Sequence, residues 1–211
     1  LKNKTYILYF HNDPLTMSGS KNISDRMFLL NNCFKIVFNS KWSKQRFLEG
    51  FSSIFFNSEK LIVINQSTKK NKINIKKKEK LITFVGKLNR SKGYDLFGSA
   101  ILKILNKHDD WKAIVAGDEP RDKLNFYHKK LKILGFRPHN EILNIYKKTS
   151  IAVVCSRWEE PFGRSSLEAS SRGCALIISN RGGLTETTKD SIVISKINEN
   201  IIYNKIKLLI K

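Results

Sequence analysis

Acidic residues are scarce in this sequence. Eighteen Asp and Glu stand against 39 Lys and Arg, for a net charge of +21 over 211 residues. That excess points to anionic company, whether phosphorylated substrates, anionic lipid or nucleic acid, although charge alone defines no site. A codon bias toward Lys, Ile and Asn is the alternative reading of the same excess. Cysteine is also scarce. Cys33, Cys155 and Cys174 show neither pairing nor metal-ligand spacing, which excludes a disulfide framework and reads as small buried hydrophobes in a reducing compartment. The four histidines are dispersed and form no zinc pattern. No apolar run approaches membrane-spanning length. The first residues lack a signal peptide's apolar region, and no repeat of solenoid period is present.

What is present is a rhythm of strand, loop and helix. Apolar runs predict strands over residues 6–10, 34–38, 61–64, 81–85, 111–116, 133–136, 151–155, 175–178 and 192–194. Helical spacing predicts helices over 23–32, a segment capped by Ser40 or Ser43 and ending at Gly50, 93–106, 121–132, 141–148 and 163–172. Residues 198–211 carry apolar positions at helical spacing, suited to packing on the domain or to interfacial membrane contact. Near-continuous apolar strands alternating with helices imply parallel sheets covered on both faces. Residues 69–80 are polar and strongly basic, which reads as a linker. The expected division is therefore a unit over 1–68, a basic linker over 69–80 and a second unit over 81–211. Three strands are too few for a complete doubly wound unit, so sequence N-terminal to Leu1 is expected.

The most informative stretch is Glu160-Pro161-Phe162-Gly163-Arg164-Ser165-Ser166-Leu167-Glu168. Two carboxylates lie eight positions apart, one at a strand's carboxyl end and one inside the following helix. In an open parallel sheet that crevice is where ligands bind, and a helix start there offers free N–H groups. A second loop, from Gly86 to Gly93, follows another strand and carries Lys87, Arg90 and Lys92. Its glycines permit close backbone approach to an anion. It matches neither G-x-G-x-x-G nor the Walker A pattern. A third segment, Arg181-Gly182-Gly183-Leu184-Thr185-Glu186, is expected to line the same crevice. Carboxylates that accept hydroxyl hydrogen bonds, beside donors for phosphate, suit a nucleotide-sugar.

These motifs, with Phe84-Val85-Gly86-Lys87-Leu88, Leu134-Gly135-Phe136 and residues 151–156, resemble the donor-binding half of retaining glycosyltransferase family 4 over residues 81–190. The resemblance implies the α/β GT-B architecture of two Rossmann-like, doubly wound parallel-sheet domains, the N-terminal one incomplete here. It implies transfer of a sugar from a nucleotide-diphosphate donor to a hydroxyl of a saccharide or lipid-linked acceptor, as in bacterial envelope glycan synthesis. No cofactor or obligatory metal is expected. Glu160 is expected at the donor sugar, Glu168 on the ribose, and Lys92 and Lys87 on the diphosphate, Lys87 standing where the family usually has arginine. Gly86, Phe162 and Gly163 complete the donor site. In the first unit, Tyr9-Phe10-His11-Asn12-Asp13-Pro14 resembles the family's strand-end histidine segment. His11 is thereby expected to contact the transferred sugar or assist proton movement. Cys155 replaces a proline common in the family. A cytoplasmic location is expected, with peripheral attachment to the inner face of an anionic membrane as a further option. The competing readings are a basic nucleic-acid binder, disfavoured because no nucleic-acid module is recognisable; a hydrolase using the paired carboxylates; and a truncated, inactive donor-binding domain.

Overall fold

The computed structural model describes residues 5–53, 58–69, 71–122 and 124–210. The first part is built from β1 (Ile7–Phe10), α1 (Ile23–Asn32), β2 (Lys35–Phe38), α2 (Lys41–Leu48) and β3 (Leu61–Val63). The three strands pair in parallel in the order β1-β2-β3. Between this sheet and α2, Phe10 and Phe38 stack and Phe47 tilts against both. Asn22 caps α1 by accepting from Asp25 N–H, and Ser40 caps α2 by accepting from Ser43 N–H.

The second part comprises β4 (Glu79–Val85), α3 (Tyr94–Lys107), β5 (Lys112–Ala116), β6 (Leu131–Ile133), α4 (His139–Lys148), β7 (Thr149–Val154), α5 (Arg164–Ser170), β8 (Ala175–Ser179), β9 (Ser191–Ile194) and α6 (Glu199–Ile210). Its sheet is parallel throughout, in the order β6-β5-β4-β7-β8-β9. Successive strand residues face opposite sides. Ile151 and Val153 join the apolar layer under α3 and α6, while Ala152 and Val154 join the layer under α4 and α5. Both faces are therefore covered, which is why the strands read as continuous apolar runs. Chain direction across the sheet reverses between β4 and β7, and the carboxyl ends of those two strands bound the crevice such a reversal creates.

Three expectations need correction. Residues 124–130 are not helical, and the strand expected at 133–136 lies instead at Leu131–Ile133. The side chains of Leu124 and Phe126 pack on the α3 layer, and Phe126 meets Tyr94 edge-on at 5.4 Å, so tertiary contact overrides local helical spacing. Helix α4 starts at His139, after Pro138, rather than at Glu141. Lys70 of the expected linker, Lys123 and Lys211 lie outside the described residues. Helix α6 packs on α3 through buried Ile202 and Ile206. Among the described residues, no helix is long and apolar enough to cross a membrane.

Candidate donor site

A cleft of about 440 Å³ opens at the carboxyl ends of β4 and β7. Phe84, Val85 and Gly86 form one wall, Val154 and Ser156 another, and the 160–165 loop a third. His11, Asn12, Asn39 and Gln66 reach in from the first sheet, so the cleft is built by both parts of the chain.

The two key loops are stapled together by backbone hydrogen bonds. Ser91 O accepts from Arg157 N–H at 2.8 Å and from Trp158 N–H at 3.1 Å, and the Ser156 hydroxyl donates to the same oxygen at 3.2 Å. Asn89 Oδ1 accepts from Lys92 N–H at 3.0 Å, closing the turn that presents Lys92. Gly93, at φ 74°, follows, and a Cβ there would stand 2.1 Å from Cys155 O. Only glycine fits that close approach. Lys92 Nζ consequently donates to Glu160 Oε1 at 2.6 Å. Gly163, at φ 104°, turns the chain from the Glu160 loop into α5.

His11 Nδ1 stands 3.1 Å from Gln66 Nε2. With the Gln66 amide donating to Nδ1, a neutral ring carries its proton on Nε2. Asn39 Nδ2 donates to His11 O at 2.9 Å and ties this loop to β2. Burial pushes the Cys155 thiol up to about 12, so Cys155 is packing rather than a nucleophile.

The cleft brings together His11, Gly86, Lys92, Glu160, Phe162 and Gly163. Lys87 lines an adjoining hollow with Phe136, Arg137 and Ile142; the two cavities share Val85 and Gly86. Glu168 is buried behind the cleft, where His139 Nε2 lies 2.9 Å and Arg164 3.2 Å from its Oε1. The glycine pair does not line the cleft. It braces the Glu160 loop from behind, with Gly183 N–H donating to Glu160 O at 2.7 Å and Gly182 N–H to Glu159 Oε2 at 2.5 Å. Glu159 is thereby a structural acceptor. Sequence reasoning missed Asn39, Gln66 and His139. Asn39 had a signal, since it ends an apolar strand on the same edge as His11. His139 and Gln66 had none beyond their polarity. Among the described residues, no group of three or more His, Cys, Asp or Glu is placed to hold a metal ion.

The fold and this cleft define the GT-B class, a parallel α/β sheet with its site at the strand reversal and a second sheet facing it. The chain belongs to the glycosyl transferases group 1 family, whose model matches residues 65–211. It is 33% identical over 127 residues to the uncharacterized glycosyltransferase MJ1607 of Methanocaldococcus jannaschii, covering 57% of this chain and 32% of that protein. It is 32% identical over 127 residues to the putative glycosyltransferase YtcC of Bacillus subtilis, covering 54% of this chain and 31% of that protein. The chain thus matches about a third of the length of these curated relatives. The structure of Anabaena HepE in complex with UDP-glucose superposes with a TM-score of 0.77 at 17% identity, covering 99% of this chain and 63% of that one.

Proposed function

We propose that this chain carries the donor site of a retaining glycosyltransferase of family 4. It would move a hexose from a nucleotide-diphosphate sugar to a hydroxyl of a saccharide or lipid-linked acceptor. The observation that carries the reading is the convergence of Lys92, Glu160, His11 and Gly163 on one cleft at the β4–β7 reversal. In this reading the diphosphate lies over Gly86 between Lys92 and Lys87, and the base enters the hollow beside Phe136. Glu168, whose Oε1 is held by His139 and Arg164, would accept from the ribose hydroxyls through Oε2 once the ligand uncovers it. Glu160 accepts from sugar hydroxyls, and His11 donates to one.

Transfer breaks the bond from the anomeric carbon to the diphosphate oxygen and forms one to the acceptor oxygen on the same face. The acceptor's proton passes to the departing diphosphate. Lys92 and Lys87 offset the charge that develops there, so the reading includes no obligatory metal. The net charge of +21 supports an acidic acceptor or an anionic membrane surface, as in envelope glycan synthesis on the inner face of a cytoplasmic membrane. The test is proton NMR of UDP-glucose turnover in water. Glucose released first as the α anomer, together with UDP, supports retention. The β anomer first contradicts retention.

A further inference from the structure

Three hydrogen bonds join α2 and its cap to the second part of the chain, one to the Glu160 loop and two to the Gly182–Glu186 turn that braces it. The Ser40 hydroxyl, already accepting from Ser43 N–H at 2.9 Å, donates to Pro161 O at 2.5 Å. Glu186 accepts from Lys41 N–H at 2.7 Å and from Trp42 N–H at 2.9 Å, one bond on each carboxylate oxygen. Gly183 fills the space between them. A Cβ there would stand 2.8 Å from Ser40 Oγ and 2.5 Å from Pro161 O.

The contact is chemically matched. The first N–H groups of a helix have no partner within it, and its N-terminus favours negative charge. Helix α2 has no acidic residue in its own first turn, and Glu186 supplies that charge from the other part of the chain. The cap of α2 requires only the bond from Ser43, so the second bond of Ser40 serves the loop. That bond falls on the carbonyl next to Glu160, and the Gly182–Glu186 turn holds Glu160 O itself.

We propose that Ser40 and Glu186 are positioning residues for the transfer reaction. They seat the Glu160 loop from the first part of the chain, so that sugar recognition depends on this contact between the two parts. This rests on the reading of Glu160 as the sugar contact. The diphosphate and base positions of that reading lie wholly in the second part. Loss of the latch should therefore affect the sugar and spare the nucleotide.

The test compares wild type, Glu186→Ala, Glu186→Gln and Ser40→Ala, each confirmed folded by circular dichroism. Two quantities are measured: calorimetric affinity for UDP and UDP-glucose, and amide exchange at Lys41 and Trp42. In Glu186→Ala those two amides should exchange at least about tenfold faster, having lost their acceptor. UDP affinity should stay within about threefold of wild type, while the ratio of UDP-glucose to UDP affinity falls about tenfold. Ser40→Ala should lower the same ratio, and Glu186→Gln, which keeps one acceptor oxygen, should fall between. Unchanged amide exchange, or an unchanged affinity ratio in both alanine variants, overturns the positioning role alone. Folded wild type that binds none of UDP, GDP and ADP overturns the transferase reading and the positioning role with it.

Discussion

Lys92 and Glu160 meet across the cleft as an ion pair of 2.6 Å, their side chains 29% and 14% exposed. The pair places a cation and an anion side by side where a diphosphate and a sugar would lie, and each ligand group favours one partner. Glu160→Gln removes the negative charge without changing shape. UDP affinity should rise, on the order of threefold to tenfold, because Lys92 no longer faces a competing anion. Sugar transfer should fall. Calorimetry with UDP and a UDP-release assay check the two halves, and weaker UDP binding in this variant would contradict the electrostatic account.

Gly93 sets where Lys92 emerges. Its φ is positive, and a Cβ at this position would stand 2.1 Å from Cys155 O, which leaves no room for a side chain. Gly93→Ala should cost about 1–3 kcal/mol from backbone strain alone, with the clash adding to it. It should also lower nucleotide affinity by displacing Lys92. Urea denaturation and a UDP titration of the same variant test both effects.

Tyr94 lies beneath the cleft wall, 1% exposed and 5.4 Å from the Phe84 ring. Its hydroxyl is buried and has no hydrogen-bond partner among the described residues, and burial pushes its pKa up to about 12. An unpaired buried hydroxyl costs about 1–3 kcal/mol. Tyr94→Phe should therefore stabilise the protein by about 1 kcal/mol, seen as a raised urea midpoint at unchanged slope.

Asp95 at the start of α3 accepts two hydrogen bonds from Arg157, at 2.7 and 2.9 Å. Burial alone would raise its pKa, but the hydrogen bonds and charge of Arg157 outweigh it and hold the carboxyl below the ordinary value. A carboxylate with a depressed folded pKa contributes stability above its unfolded pKa, about 3.9, and loses it as pH falls through the folded value. Thermal stability of wild type should drop more steeply below about pH 4 than that of Asp95→Asn. Parallel curves for the two proteins would contradict this.

Much of this architecture is legible in the sequence because local signals agree with it. Helix α1 matches its expected span because Asn22 caps it and no helix breaker interrupts it. Strands β7 and β8 are legible because both faces are buried. The basic stretch before β6 misleads because its helical spacing is local, whereas Phe126 is held by Tyr94 and by the gap at Gly98. A Cβ on Gly98 would sit 2.2 Å from the Phe126 ring, and that glycine inside a helix was the available clue. That Lys92, Glu160 and Gly163 lie near one another at a sheet edge is legible because each ends or follows an apolar strand. The Glu186 carboxylate is not legible, since its partners Lys41 and Trp42 lie 145 and 144 positions away and no local pattern marks them.

The central claim is that Lys92 anchors a nucleotide diphosphate in the β4–β7 cleft. Calorimetric titration of wild type, Lys92→Ala and Glu168→Gln with UDP, GDP and ADP, without added metal, tests it most directly. The account predicts saturable binding of one nucleotide to wild type, weakened about 10- to 100-fold in Lys92→Ala and less in Glu168→Gln. Folded wild type that binds none of the three, or Lys92→Ala that binds as tightly as wild type, would contradict it.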